Sequence, residues 1–284
     1  MEKTQRVGLL LLTASLLLGP IQVCANAQWL EAKGAHYLIF YKAGSEPDVA
    51  FTRKWLDRAE QLMKTKYGVS PDHYSMSVYL YPAPADEIDI NRSGHITCCT
   101  ESKGVSTGTI KLLALSAPVW QSGNLKSSLG LLKSGEDYHA KVLMSEYIPI
   151  GHYAVQDSRA KGGWDYYSAP NWFVQGLQEY DGIFHTTDNN RTKTSRLLFA
   201  WAKRNAAKFS CCSPKLEIAD AYNGGATFVA FLADEFGEDV HARLLRNPAK
   251  TFEAALAGET KPYSLDELFA RFRKWLDAKQ PDRL

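Results

Sequence analysis

Two short segments hold the side chains best suited to chemistry. Residues 142–149 read Val-Leu-Met-Ser-Glu-Tyr-Ile-Pro, and residues 170–180 read Pro-Asn-Trp-Phe-Val-Gln-Gly-Leu-Gln-Glu-Tyr. Glu146 and Glu179 are a pair of carboxylates, which can share general-acid and general-base work when held about 5–10 Å apart. Ser145, with His152 further along, has a nucleophile's side chain, but no glycine-flanked elbow surrounds it. His139, His152, Glu179 and His185 carry metal-binding atoms, yet no two of them stand at a recognised ligand spacing. His139 and His185 flank helices and read as solvated. Glu179 reads as a helix-end or supporting hydrogen-bond partner beside a site.

The elements around these segments divide the chain into two parts. His36–Tyr41 and Ser77–Tyr81 have the β-branched and aromatic content of strands, and residues 94–116 read as two shorter ones. Between the first two strands, Phe51, Trp55, Ala59, Leu62 and Met63 share one face of a helix that Gly68 ends. Beyond residue 136 the pattern turns helical. The spacing predicts helices over 138–148, 171–181, 192–208, 226–236 and 248–257. A last helix opens on a Ser264-x-x-Glu267 capping box and buries Leu265, Leu268, Phe269, Phe272, Trp275 and Leu276. The expected fold class is α+β: a small mixed β-sheet lobe over 28–135, then a helical lobe over 136–284.

Taken together, the two chemical segments resemble the signatures of the gluzincin (peptidase-MA-like) metallopeptidases. That family reads apolar-His-Glu-x-x-His on one helix and Pro-x-Trp-x-x-Glu-Gly-Leu-Ala-Glu-Tyr on another. Pro170, Trp172, Gly176, Leu177, Glu179 and Tyr180 match the second signature. The opening strand–helix–strand, the segment from Tyr222 and the terminal helix also sit where the family has them. The resemblance implies a zincin-like fold with a cleft between the lobes, and Glu146 at the general-base position. It also implies zinc ligands at 145, 149 and 175, where this chain has Ser145, Pro149 and Gln175. Zinc binds imidazole, thiolate and carboxylate, and needs several together. Hydroxyl and neutral amide are poor substitutes, and proline offers no donor. Proline inside a helix also removes a backbone hydrogen bond, so the first helix is expected to end or kink at 149. A second register, with His152 and Gln156 one turn apart and Gln175 following, restores one histidine but still leaves two amides. No zinc is expected in either register.

The compartment is read from the first residues. Lys3 and Arg6 precede the apolar run Val7–Leu18, and Ala25-Asn26-Ala27 offers small residues for cleavage, so residues 1–27 read as a signal peptide. The run is shorter than the roughly 20 residues that a membrane-spanning helix needs. No later segment is long and apolar enough, so a secreted or periplasmic protein without a membrane span is expected. Without those 27 residues the chain has 31 basic and 30 acidic residues. A near-neutral balance gives no reason to expect a nucleic-acid partner. Cys98-Cys99 and Cys211-Cys212 form two adjacent pairs, an even number suited to two disulfides between the pairs. Each bridge closes a loop of about 113 residues, which the chain-entropy model values at about 4–5 kcal/mol. A four-thiolate zinc site is the rival, disfavoured because adjacent cysteines lack the usual gap. Asn91-Arg-Ser and Asn190-Arg-Thr are glycosylation triplets, of consequence only in a eukaryotic secretory pathway.

These readings converge on an exported pseudopeptidase whose cleft takes an extended peptide or a glycan. Tyr147, His152, Trp164, Trp172, Glu179 and Tyr222 are its candidate cleft residues. Core packing is the competing role for the tryptophans. The main alternative is an active hydrolase, of peptidase or glycosidase type, that uses Glu146 in a rearranged or metal-free site. A structural module stapled by disulfides is the third reading.

Overall fold

The computed structural model describes residues 29–72, 74–82, 100–102, 105–115, 135–157, 162–212, 215–218 and 220–279. The fold is mixed α+β. All strands of the main sheet precede residue 114, and helices dominate from residue 135 onward.

Strands β1 (Leu30–Lys33), β2 (Tyr37–Tyr41), β3 (Tyr74–Tyr81), β4 (Thr100–Ser102) and β5 (Val105–Leu113) form one sheet in the order β1-β2-β3-β5-β4. Its centre is parallel: Ile39 lies opposite Val78, and Val78 opposite Ile110. Both edge strands are antiparallel. Met76, Val78 and Leu80 alternate inward on β3 and are fully buried, as a strand with one covered face requires. Parallel strands cannot be joined by a tight turn. Helix α1 (Glu46–Leu62) therefore makes the crossover from β2 to β3, burying Thr52, Trp55, Leu56, Ala59 and Leu62. A widened turn over Met63–Tyr67 follows, and Gly68 closes it at φ +64°, a left-handed conformation that glycine adopts without strain. That turn aims Lys66 and Tyr67 at the helical part of the chain.

The remaining helices are α2 (Gly135–Tyr147), α3 (Pro149–Asp157), α4 (Asn171–Phe184), α5 (Ser195–Arg204), α6 (Asn223–Phe236), α7 (Val240–Arg246), α8 (Phe252–Glu259) and α9 (Leu265–Ala278). Pro149 does what its chemistry demands. The α2 hydrogen-bond ladder ends as the Ile148 N–H donates to the Met144 carbonyl, and Pro149 becomes the first residue of a new helix. The predicted 192–208 helix is shorter than expected. It starts with a widened turn at Asn190–Thr194, and Asn205 ends it before a short 3₁₀ turn. A hairpin that the sequence pattern did not suggest follows, β6 (Phe209–Cys212) and β7 (Lys215–Ile218), with Phe209 packed on Phe272 of α9. Ser264 and Glu267 form the expected capping box at the start of α9.

One apolar core runs from the inner face of the sheet through α1, α2, α4, α6 and α9. Its tightest joint is between α4 and α6. A Cβ on Gly176 would run into the backbone of Gly225, and one on Gly225 into the Trp172 carbonyl. Glycine is required at both, because backbone meets backbone. Asn91, Cys98 and Cys99 lie outside the described residues, and Cys211 and Cys212 stand on β6.

Candidate functional site

Helix α4 carries acidic groups on two of its faces. The first faces α2. Asp137, at the start of α2, accepts hydrogen bonds from Thr187 and Asn189 beyond the end of α4, which pins the two helices at that end. One turn along α2, Lys141 donates to Glu179 Oε1 at 2.6 Å. Gly182 lets the helices close there, since a Cβ would lie 2.9 Å from the Lys141 carbonyl oxygen and 3.1 Å from Ser145 Cβ. Glu146 is partly buried near this pair. Burial, and then the Glu179 charge, push its carboxyl up to about 7, against the pull of Lys141. Tyr222, at the entry to α6, is 53% exposed, and its hydroxyl feels both carboxylates. Burial and those charges raise its pKa. Glu146, Glu179, Lys141 and Tyr222 thus come together from α2, α4 and the turn that opens α6.

The three positions at which the resemblance implies zinc ligands are placed as follows. The Ser145 hydroxyl is buried and donates back to the Val142 carbonyl at 3.2 Å, inside its own helix. Pro149 is buried at the α2–α3 break. Gln175 is partly buried on α4. Ser145 packs at the level of Gly182, seven residues and about 10 Å along the α4 axis from Gln175. A hydroxyl already committed to a carbonyl, a pyrrolidine ring and a neutral amide do not make a zinc donor set. Among the described residues, no three His, Cys, Asp or Glu side chains form a group suited to a metal ion. In the second register, Gln156 Oε1 accepts from the Tyr166 N–H at 2.7 Å, and His152 turns to a different cluster.

That cluster lies on another face of α4 and has Asp181 at its centre. Asp181 is fully buried. Lys66 Nζ donates to Oδ1 at 2.9 Å, and the Tyr67 hydroxyl to Oδ2 at 2.6 Å. His152 Nε2 approaches Oδ2 at 3.4 Å. With the Nε2 proton toward Asp181, His152 Nδ1 accepts from the Tyr166 hydroxyl at 2.9 Å. Burial alone pushes the Asp181 carboxyl up. Lys66, the His152 hydrogen bond and His185 outweigh it and hold the carboxyl well below the usual range. Burial lowers the His152 pKa, and burial with the Lys66 charge lowers that of His185 to about 4. His241 is buried against the Val229 carbonyl, and its pKa is also lowered by burial.

Several sequence expectations need correction. His139 is buried rather than solvated, with Nδ1 2.7 Å from the Gly135 carbonyl oxygen, because it lies on the packed face of α2. His185 is largely covered and receives Lys66 Nζ at 3.2 Å. Trp164 and Trp172 are core side chains packed edge-on against Phe252, the competing role considered for them. Tyr147 is buried and donates to Glu60 on α1 at 2.8 Å. Asn190 is buried, its amide donating to the Asp137 carbonyl and the Thr186 hydroxyl, so no glycan fits there in the folded chain. Of the cleft candidates, Glu179 and Tyr222 stand together with Glu146. His152, Trp164 and Trp172 are committed to the interior.

Sequence reasoning missed Lys66, Tyr67, Lys141 and Asp181. The Asp181–His185 spacing of four on one helix was a visible signal, but Lys66 is 115 residues away from Asp181 and carries no local pattern. No protein-family model matches this chain, and no curated protein matches it.

Proposed function

We propose that this is an exported protein of zincin-like fold that has lost its zinc, and that it binds an extended peptide or a glycan in the cleft between its lobes. The supporting observation is the fate of the three ligand positions. Ser145 is hydrogen-bonded within its helix, Pro149 starts a helix, and Gln175 is a neutral amide. The general-base position persists as Glu146, beside Glu179, Lys141 and the exposed ring of Tyr222. Such a patch offers a peptide or sugar both hydrogen-bond partners and an aromatic face. Two measurements test the reading. Protein purified without chelator should contain well under one zinc per chain by elemental analysis, and a stoichiometric, tightly held zinc overturns it. Peptide and glycan arrays should yield a ligand whose affinity falls when Tyr222 is changed to Ala.

One observation favours a second reading, a metal-free hydrolase. A carboxyl raised to about 7 beside an ionised carboxylate is the arrangement by which one acid donates a proton while its neighbour stays charged. In that reading Glu146 is the proton donor, and Glu179, held by Lys141, is the charged partner. Hydrolysis of peptide or glycoside substrates that declines above pH 7, and is abolished by Glu146→Gln, favours the enzyme. Ligand binding that survives Glu146→Gln without turnover favours the binding protein.

A further inference from the structure

A separate groove of about 600 Å³ opens where α1 passes the C-terminal end of α4 and the turn into α5. Lys54 and Arg58 approach it from α1, and Arg191 from the turn before α5. Trp55 and Phe184 give it aromatic walls, and His185 closes its inner end. The volume falls in the range that small-ligand sites occupy. Among its described lining residues the only carboxylate is Asp57, which already accepts the Tyr37 hydroxyl.

The charges do not cancel. Arg191 is paired with Asp188 on its own turn, an exposed partner. Arg58 donates to the neutral Gln61 carbonyl oxygen at 3.0 Å, and Lys54 Nζ lies 5.2 Å from the centre of the Trp55 ring. Neither of these two cations faces a carboxylate in those contacts. Behind the groove, His185 Nε2 accepts from Lys66, so the neutral ring carries its proton on Nδ1 and serves as a donor. The same histidine registers the local field: Lys66 and Arg58 both disfavour its protonation.

From this arrangement we infer a second binding site, for a small organic anion with a flat apolar body. Its carboxylate or phosphate is taken by Arg58 and Lys54, with Arg191 at the rim, while Trp55 and Phe184 cover the ring. Guanidinium suits either oxyanion because its fork of N–H donors matches two oxygens at once. None of its described lining residues belongs to the Glu146, Glu179, Lys141 and Tyr222 group, so it stands or falls independently of the peptide- or glycan-binding reading.

Calorimetric titration of the whole protein at low salt tests it, with phenyl phosphate, benzoate, inorganic phosphate and benzylamine as probes. Phenyl phosphate or benzoate should bind saturably at one site, at least tenfold more tightly than benzylamine and inorganic phosphate. The pair of aromatic anions also distinguishes the two headgroups. Lys54 and Arg58 are exposed, so the double variant Lys54→Gln/Arg58→Gln should fold, and its melting temperature verifies that. It should lose at least tenfold in affinity for the preferred probe. The inference is overturned if neither aromatic anion saturates, if benzylamine binds equally well, or if the folded double variant binds like the parent protein.

Discussion

The two acidic clusters on α4 answer the same problem in opposite ways. Asp181 is the more deeply buried, yet it is fully compensated: an ammonium, a phenol and an imidazole all address its two oxygens. Glu146 is less buried but has another carboxylate for a neighbour and shares a single lysine with it. Burial raises both carboxyls, and the partners decide the outcome. Asp181 stays ionised far into acid, while Glu146 titrates near neutrality. Depth alone therefore does not mark a functional carboxyl. Incomplete compensation does, and it sets Glu146 apart as a group whose charge can change in use.

The sharpest way to break this contrast is to remove each lysine. Lys66→Met leaves Asp181 buried without its ammonium and should cost about 3–5 kcal/mol in urea unfolding. Lys141→Met, whose partner Glu179 keeps slightly more solvent contact than Asp181, should cost less, about 2–3 kcal/mol, and should move the Glu146 midpoint further up. Equal costs would erase the distinction.

A second test is pH. The Glu146 carboxyl is raised from its ordinary value of 4.5 to about 7 in the folded chain, so its contribution is full below about 4.5 and is lost as pH rises through 7. At about 1.4 kcal/mol per unit, that is at most about 3 kcal/mol. The histidines beside Asp181 work the other way. His152 and His185 have lowered values, so the unfolded chain takes up protons that the folded one refuses, and stability falls as pH drops below about 6.5. Between about pH 4.5 and 6.5 two histidines outweigh one carboxyl, so unfolding free energy should rise with pH and peak near 6.5, and Glu146→Gln should steepen that rise and remove the fall from about 6.5 to 7.

Packing between the clusters offers a third. Gly182→Ala places a methyl 2.9 Å from the Lys141 carbonyl oxygen and should cost about 1–3 kcal/mol by forcing α2 away from α4. It should also bring the Glu146 titration back toward 4.5 as water enters, which carboxyl-selective NMR would report. The smallest effect is expected for Tyr222→Phe. Its ring is half in solvent, so stability should change by less than about 0.5 kcal/mol.

Much of the fold was legible in the sequence because its signals are local. Gly68 ends α1's extension, Ser264 and Glu267 cap α9, and Pro149 separates two helices, each through chemistry within a few residues. The site was legible only in part. The grouping of Glu146 with Glu179 followed from two recognisable segments, but the lysine that stabilises one of them was overlooked. The Asp181 cluster was hidden because Lys66 and Tyr67 reach it from a turn over a hundred residues away. Histidines at helix ends looked solvated, since nothing in a helix end reveals what packs over it. The β6–β7 hairpin escaped because four-residue strands give too little alternation to count.

The glycine contact between α4 and α6 has a mechanical consequence. With Gly176 seated against Gly225 and the Trp172 carbonyl, neither helix can roll or slide without prising backbone from backbone. The pair acts as a single strut, and one carboxylate of each cluster, Glu179 and Asp181, is mounted on it. A ligand that engages Glu179 or Tyr222 will thus find a stiff anvil, and its effects should stay within the side chains it touches rather than travel along α4 to Asp181.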